Sequence, residues 1–109
     1  MIEHQDPILS TYLTALQHLE GDRLVRAVLF GSRARGDARA DSDYDIAVFL
    51  KNFSNRWDEK DKLLEIETAI ILETGAVINS KPFPEGAENE RTPLMHEIRL
   101  EGIDLCRPR

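Results

Sequence analysis

The stretch from Phe30 to Leu50, "FGSRARGDARADSDYDIAVFL", decides how this sequence is interpreted. It joins an apolar segment that ends at Gly31 and Ser32 to a second apolar segment that begins with Asp43 and Asp45. A strand that enters a protein core does not ordinarily start with two carboxylates, because burying an unpaired charge is costly. The stretch therefore predicts a strand, a basic loop and a second strand whose first side chains have a function.

Asp43 and Asp45 are candidate metal ligands. Residues two apart on a strand project from the same face, with Cα atoms roughly 6–7 Å apart. Two carboxylates in this arrangement disfavour each other's ionisation, and a divalent cation between them removes that penalty. Mg²⁺ is bound through a few carboxylates and substrate phosphates, and two such ions about 4 Å apart can activate an attacking oxygen and stabilise a leaving one. The pair is therefore also the candidate catalytic centre.

Gly31 and Ser32 form a candidate phosphate site where the first strand ends. A glycine allows backbone amides to approach a phosphate closely, and the serine hydroxyl can donate a hydrogen bond to a phosphate oxygen. Arg33 and Arg35 could add contacts to phosphate, although solvated loop arginines explain them equally well. One end of the predicted sheet would then carry a phosphate cradle beside a carboxylate pair.

Other interpretations of the stretch are weaker. The aspartates could simply form a polar turn that enters a strand. A calcium loop would need a glycine where Ile46 stands and a glutamate where Asn52 stands. A phosphate loop of the Gly-x-x-x-x-Gly-Lys type would need a lysine in place of Asp37. The last two patterns therefore fail.

The rest of the chain predicts alternating helices and strands around this centre. Apolar residues recur at helical spacing in the first helix, and Trp57 is predicted to pack the second long helix against the core. Pro82 should end the third strand or place it at a sheet edge. The order fits a two-layer α/β domain. The predicted helices are 6–20, 56–73 and 94–101, and the predicted strands are 24–30, 43–50, 76–83 and 103–106.

Composition limits the classes of function. A chain of 109 residues is expected to form one domain, residues 1–109. Its net charge of −6 argues against direct nucleic-acid binding, which needs a basic surface. Cys106 is the single cysteine, so an internal disulfide is impossible and a cytoplasmic location is expected. No apolar run approaches the ~20 residues of a membrane span, so no membrane partner is expected.

The combined pattern resembles the signature of the DNA polymerase β-like nucleotidyltransferase superfamily, and more narrowly the minimal nucleotidyltransferases of bacteria and archaea. The specific part runs from Leu29 to Val48, where a strand and Gly-Ser are followed, ten residues later, by Asp-x-Asp. The resemblance implies an α+β fold with a small, mixed, three-stranded sheet flanked by helices. It also implies that ATP or another NTP binds with Mg²⁺. The implied nucleotide-binding residues are Gly31, Ser32, Arg33 and Ser42, and the implied metal-binding and catalytic residues are Asp43 and Asp45.

The sequence departs from the family in one respect. Active members usually add a third carboxylate from a later strand, whereas the third strand here, "GAVINSKPFP", has no Asp or Glu. Asn79 or Ser80 could occupy that position, and Glu73 and Glu85 flank the strand. The loss matters because general-base assistance typically contributes about 10²–10⁴-fold to a rate.

The leading hypothesis is a nucleotidyltransferase that moves AMP from ATP to an acceptor. The resemblance suggests the antitoxin of a toxin–antitoxin pair that adenylylates a helical, HEPN-like toxin protein. An alternative is a catalytically weak nucleotide-binding module that inhibits its partner by binding alone. Another is a small-molecule, aminoglycoside-type nucleotidyltransferase, in which a homo-oligomer would build the acceptor cleft.

Overall fold

The computed structural model describes residues 6–106 of the chain. Their helices and strands follow the predicted order closely, with short 3₁₀ turns at 21–23 and 87–89. The helices are α1 (Pro7–Glu20), α2 (Ser32–Arg35), α3 (Arg56–Thr74) and α4 (Pro93–Glu101). The strands are β1 (Leu24–Phe30), β2 (Tyr44–Leu50), β3 (Ile78–Pro84) and β4 (Ile103–Cys106).

Local signals fix the ends of the helices. The Asp6 carboxylate accepts hydrogen bonds from the Ile8 and Leu9 amides at the start of α1, as an N-cap residue does. The Asn55 side chain caps α3 in the same way, by accepting from the Asp58 amide. At its other end, α3 stops at Gly75, which has a φ of 79°. Such a left-handed conformation favours glycine at a helix C-terminus.

The four strands form one mixed sheet in the order β3-β2-β1-β4. β1 is antiparallel to both β2 and β4, whereas β2 and β3 are parallel. The expected mixed sheet is confirmed, and so is the strand predicted at 103–106, which extends the sheet beyond β1 as β4. The count of three strands that the resemblance implies is therefore wrong. At one end of the sheet Phe30 pairs with Asp45, so the last residue of β1 lies beside the first carboxylate inside β2.

Helices cover both faces of the sheet, so the two-layer expectation is wrong. α1 and α3 pack on the face that carries Tyr44, Ile46, Val48 and Leu50. α4 packs on the opposite face, where Met95 and Ile98 meet Ala47 and Phe49. The predicted alternation of β2 side chains is therefore confirmed, and Asp45 belongs to the face that α4 partly covers.

Side chains of α3 close the outer edge of β3. Lys60 Nζ donates to the Ser80 carbonyl at 2.7 Å, the Ser80 amide donates to Glu67 Oε2 at 2.9 Å, and Lys60 and Glu67 pair at 2.8 Å. Pro82 also lies on this edge, as predicted, where its missing N–H costs no ladder bond. These features protect the edge strand from pairing with another chain.

The predicted packing of Trp57 is wrong. Its side chain is 72% exposed, and the Arg56 guanidinium lies over its ring. Leu64 and Ile71, on the same side of α3, are also exposed. The core contacts of α3 come instead from Leu63, Ile66 and Ile70. Within residues 6–106, no helix is both long enough and apolar enough to cross a membrane.

Candidate active site

Gly31 lies against the side chain of Asp45. Gly31 leaves β1 with a φ of 76°, a conformation that side chains rarely adopt. A Cβ atom built on Gly31 would lie 2.5 Å from Asp45 Oδ2, which is inside van der Waals contact. Both the backbone conformation and the neighbouring carboxylate therefore require glycine here. The backbone that follows Gly31 passes directly beside the Asp45 carboxylate.

Ser32 begins the one-turn helix α2. The Gly31 carbonyl accepts hydrogen bonds from the Ala34 and Arg35 amides at 3.1 Å, which folds the segment into a tight turn. The first amides of a helix have no acceptor within the helix, so those of Ser32 and Arg33 can bind an anion. The predicted phosphate cradle thus lies next to the predicted metal ligand.

The carboxylate pair has the character of a cation site. Asp43 is exposed and lies one residue before β2, although the sequence predicts it as the first residue of the strand, and Asp45 is half-buried. Burial, followed by the negative charge of Asp43, raises the pKa of Asp45 above its usual value. A hard divalent cation would relieve both effects, and two carboxylates are suitable ligands for Mg²⁺. The donor set therefore fits the metal that the sequence predicts, and Asp43 and Asp45 would hold it.

The residue that faces Asp45 across the sheet is Asn79. The two are partners in the parallel β2–β3 register, and a hydrogen bond from the Asn79 side chain lowers the pKa of Asp45. Ser80 points to the other face, where its Oγ lies 2.6 Å from the Tyr12 hydroxyl in the core. Of the two residues suggested for the position of a third carboxylate, the structure therefore selects Asn79.

Neither glutamate that flanks β3 lies beside the pair. The Glu85 amide donates to the Leu50 carbonyl, at the end of β2 opposite to Asp45. Glu73 is exposed in the last turn of α3, which packs on the face away from Asp45. Within residues 6–106, no group of three Asp, Glu, His or Cys side chains is placed to hold a metal ion.

Arg33 and Ser42 hold the loop between β1 and β2. Arg33 Nε and Nη2 donate to the Ser42 carbonyl at 3.0 and 2.9 Å, and the guanidinium lies 3.9 Å from the centre of the Tyr44 ring. Ser42 Oγ accepts from the Arg39 amide. These contacts favour a structural role for both side chains, and nucleotide binding by them stays a prediction.

Glu97 on α4 is a member of the site that the sequence alone did not identify. Its negative charge contributes to raising the pKa of Asp45, after the larger effects of burial and Asp43. Glu97 and Glu101 lie 3.8 and 3.6 Å from Arg35 Nη1, which ties α2 to α4. Only the packing of α4 against the Asp45 face brings these residues together, so helical periodicity could not reveal them.

A groove runs beside β3 and reaches Asn79. Its cavity volume is about 330 Å³. It combines aromatic and cationic side chains, and it includes Trp57, whose exposed position helical spacing does not predict. The groove is lined by Arg56, Trp57, Lys60, Asn79, Ser80, Lys81, Pro82, Phe83 and Leu94.

Known proteins resemble this chain in sequence and in fold. The family model described as polymerase beta nucleotidyltransferase matches residues 16–107. The candidate protein adenylyltransferase MJ0141 of Methanocaldococcus jannaschii is 36% identical over 84 residues, which span 77% of this chain and 81% of that protein.

Two solved structures share the fold. One is a toxin–antitoxin crystallised with AMP-PNP, with a TM-score of 0.60 and 18% identity over 90% of this chain and 73% of the other. The second is a variant of the toxin–antitoxin MntA–HpeT, with a TM-score of 0.62 and 18% identity over 89% and 72% of the two chains. The match of the family model over most of the sequence establishes that the chain belongs to the polymerase beta nucleotidyltransferase family.

Proposed function

We propose that this nucleotidyltransferase uses Mg²⁺ to transfer AMP from ATP to a hydroxyl group on a partner protein. The observation that supports the proposal is the position of Gly31 against Asp45, because it brings the proposed phosphate cradle next to the carboxylate pair. Gly31, Ser32 and the backbone of Arg33 would hold the triphosphate, and Asp43 and Asp45 would hold the metal. Mg²⁺ neutralises phosphate charge when it is bound.

The reaction is a displacement at the α-phosphorus. The acceptor oxygen forms a bond to this atom, the bond between the α-phosphorus and the oxygen bridging to the β-phosphate breaks, and pyrophosphate leaves with the electron pair. The proton of the acceptor hydroxyl passes to water, because Asn79 faces Asp45 with an amide that cannot serve as a base. The chain thus positions the reactants and stabilises charge, which can supply a large share of catalysis.

A protein acceptor is supported by the adenylyltransferase relative and by the two toxin–antitoxin neighbours. We propose that this chain is the antitoxin of such a pair and that its partner is a helical, HEPN-like toxin. The test is coexpression with that partner, followed by intact-mass analysis. A mass increase of one AMP group on the partner is expected, and it should disappear when the Asp43→Asn/Asp45→Asn variant is coexpressed.

Asn79 also favours a second candidate, a module that binds nucleotide and inhibits its partner without transfer. Such a module would form a complex with the partner and leave its mass unchanged. Under the first proposal the unmodified complex is transient and the added AMP persists after the proteins separate. The same intact-mass measurement therefore distinguishes the two candidates.

A further inference from the structure

Lys81 lies on β3 two residues after Asn79 and projects from the same face of the sheet. Its partner across the β2–β3 register is Ala47, whose small side chain leaves room for the lysine stem. On the side away from Asn79, the stacked rings of Phe49 and Phe83, 5.5 Å between centres, occupy the space. Lys81 and Asn79 also line one groove, so Lys81 lies on the face of the sheet that carries Asp45.

The charge of Lys81 acts on the carboxylate site. It is close enough to Asp45 to favour the ionised form of that carboxylate. By contrast, Lys60 on the other side of β3 is held by Glu67 and the Ser80 carbonyl. No ion pair within 4.0 Å joins Lys81 to another residue in the part of the chain that the structure describes. Its ammonium is therefore available to a ligand.

Two divalent cations about 4 Å apart repel each other strongly and need bridging carboxylates to stay together. Here the ligand set is limited to Asp43 and Asp45, and the facing position is the neutral Asn79. Glu97 lies near enough for its charge to act on Asp45, but it pairs with Arg35, and no group of three Asp, Glu, His or Cys side chains among residues 6–106 is placed to hold a metal ion. The ammonium of Lys81 would also repel a second cation. This combination does not suit a two-metal site.

We infer that the chain binds its nucleotide with one divalent cation and that the Lys81 ammonium takes the place of a second. This inference rests on the function proposed above. A lysine ammonium is a compact point charge, so it can approach the α-phosphate and the acceptor oxygen as a metal ion would. Asp43 and Asp45 then hold the single cation that accompanies the triphosphate.

The test counts Mn²⁺ ions bound per chain, by electron paramagnetic resonance of free Mn²⁺, in the presence of saturating AMP-PNP. The wild-type chain should bind one Mn²⁺ with the nucleotide. The Asn79→Asp/Lys81→Met variant, which supplies a third carboxylate and removes the ammonium, should bind two. Lys51→Met is the matched control, since it removes an exposed lysine charge elsewhere, and it should bind one.

A second variant, Lys81→Met alone, keeps the test informative if Asn79→Asp/Lys81→Met does not fold. Lys81→Met alone should weaken binding of Mn²⁺–AMP-PNP about tenfold, because it removes a positive charge near the phosphates. Two Mn²⁺ ions on the wild-type chain, or unchanged affinity in Lys81→Met, would overturn the inference and leave the proposed function intact. A folded wild-type chain that binds no Mn²⁺–AMP-PNP would overturn both.

Discussion

Gly31 lies so close to Asp45 that a methyl group on Gly31 would be 2.5 Å from Asp45 Oδ2. This relationship makes the glycine a probe of the site. Gly31→Ala should displace the Asp45 carboxylate and abolish binding of ATP with Mg²⁺, which calorimetry can measure.

The matched control is Gly36→Ala. Gly36 also has a positive φ, of 85°, but a Cβ there would meet no atom within 4 Å. Alanine at Gly36, which has a ψ of 10°, carries the left-handed helical strain on the order of 1 kcal/mol, whereas Gly31, with a ψ of −157°, lies in a region that is essentially reserved for glycine. Gly36→Ala should therefore lose some stability, remain folded and retain nucleotide binding. Equal loss of binding in the two variants would contradict the proposed site.

The negative charge of Glu97 near Asp45 should weaken the binding of Mg²⁺–ATP. In Glu97→Gln the negative charge near Asp45 is lost, and Arg35 is released from one of its acidic neighbours. Affinity for Mg²⁺–ATP should rise by about two- to threefold, since a charge that repels the triphosphate is removed in a screened environment. Titration calorimetry at low salt measures this change. Weaker binding would show that Glu97 holds the metal instead.

The Tyr12–Ser80 hydrogen bond should stabilise the face of the sheet that lies opposite to the site. Both side chains are almost completely buried, and their oxygens lie 2.6 Å apart. Tyr12→Phe leaves the Ser80 hydroxyl without its partner, so unfolding free energy should fall by about 1–3 kcal/mol in urea denaturation. Ser80→Ala should lower the free energy of unfolding less when it is added to Tyr12→Phe than when it is made in the wild type. Additive losses would show that the bond contributes nothing.

Two buried glutamates at the far end of the sheet should respond to pH in opposite directions. Glu20 and Glu59 both pair with Arg23, at 2.8 and 2.6 Å. Burial raises the pKa of Glu20 above its ordinary value of 4.5. Burial also acts to raise the pKa of Glu59, but hydrogen bonds from Arg23 and the Ser54 amide outweigh it and lower that pKa below 4.5.

The signs follow from the protonation of each group. The raised pKa of Glu20 gives stability that is present below pH 4.5 and is lost as the pH rises through the pKa of the folded protein. The lowered pKa of Glu59 gives stability that is present above pH 4.5 and is lost on acidification. Glu20→Gln should thus gain stability relative to wild type as pH rises from about 4 to 7, and Glu59→Gln should lose it. Urea denaturation across this range measures both, and parallel curves would contradict the assignment.

Much of the fold was predictable from local patterns. β1 was predicted with its observed bounds because an uninterrupted apolar run lies between turn residues, and the faces of β2 followed from simple alternation. The exposed position of Trp57 was not predictable in this way. Helical spacing places Trp57, Leu64 and Ile71 on one stripe, but the packing of α3 on the sheet decides whether that stripe or its neighbour is buried.

The candidate site was predictable only in part. The Gly31, Ser32, Asp43 and Asp45 motif lies within one short segment, so spacing alone brings its members together. Asn79 and Lys81 reach the site through the parallel register of β3, and Glu97 reaches it through the packing of α4. The guanidinium of Arg33 turns away to loop carbonyls and the Tyr44 ring. These relationships depend on tertiary structure, and a single sequence does not specify them.

The most direct test of the central claim is calorimetric titration of ATP with Mg²⁺ into the wild-type chain and the Asp43→Asn/Asp45→Asn variant. The proposed site predicts saturable binding to the wild type that disappears in a variant whose unfolding transition is unchanged. Equal binding to both proteins, or no binding to the folded wild type, would contradict the claim that the Gly-Ser turn and the two aspartates form a metal–nucleotide site.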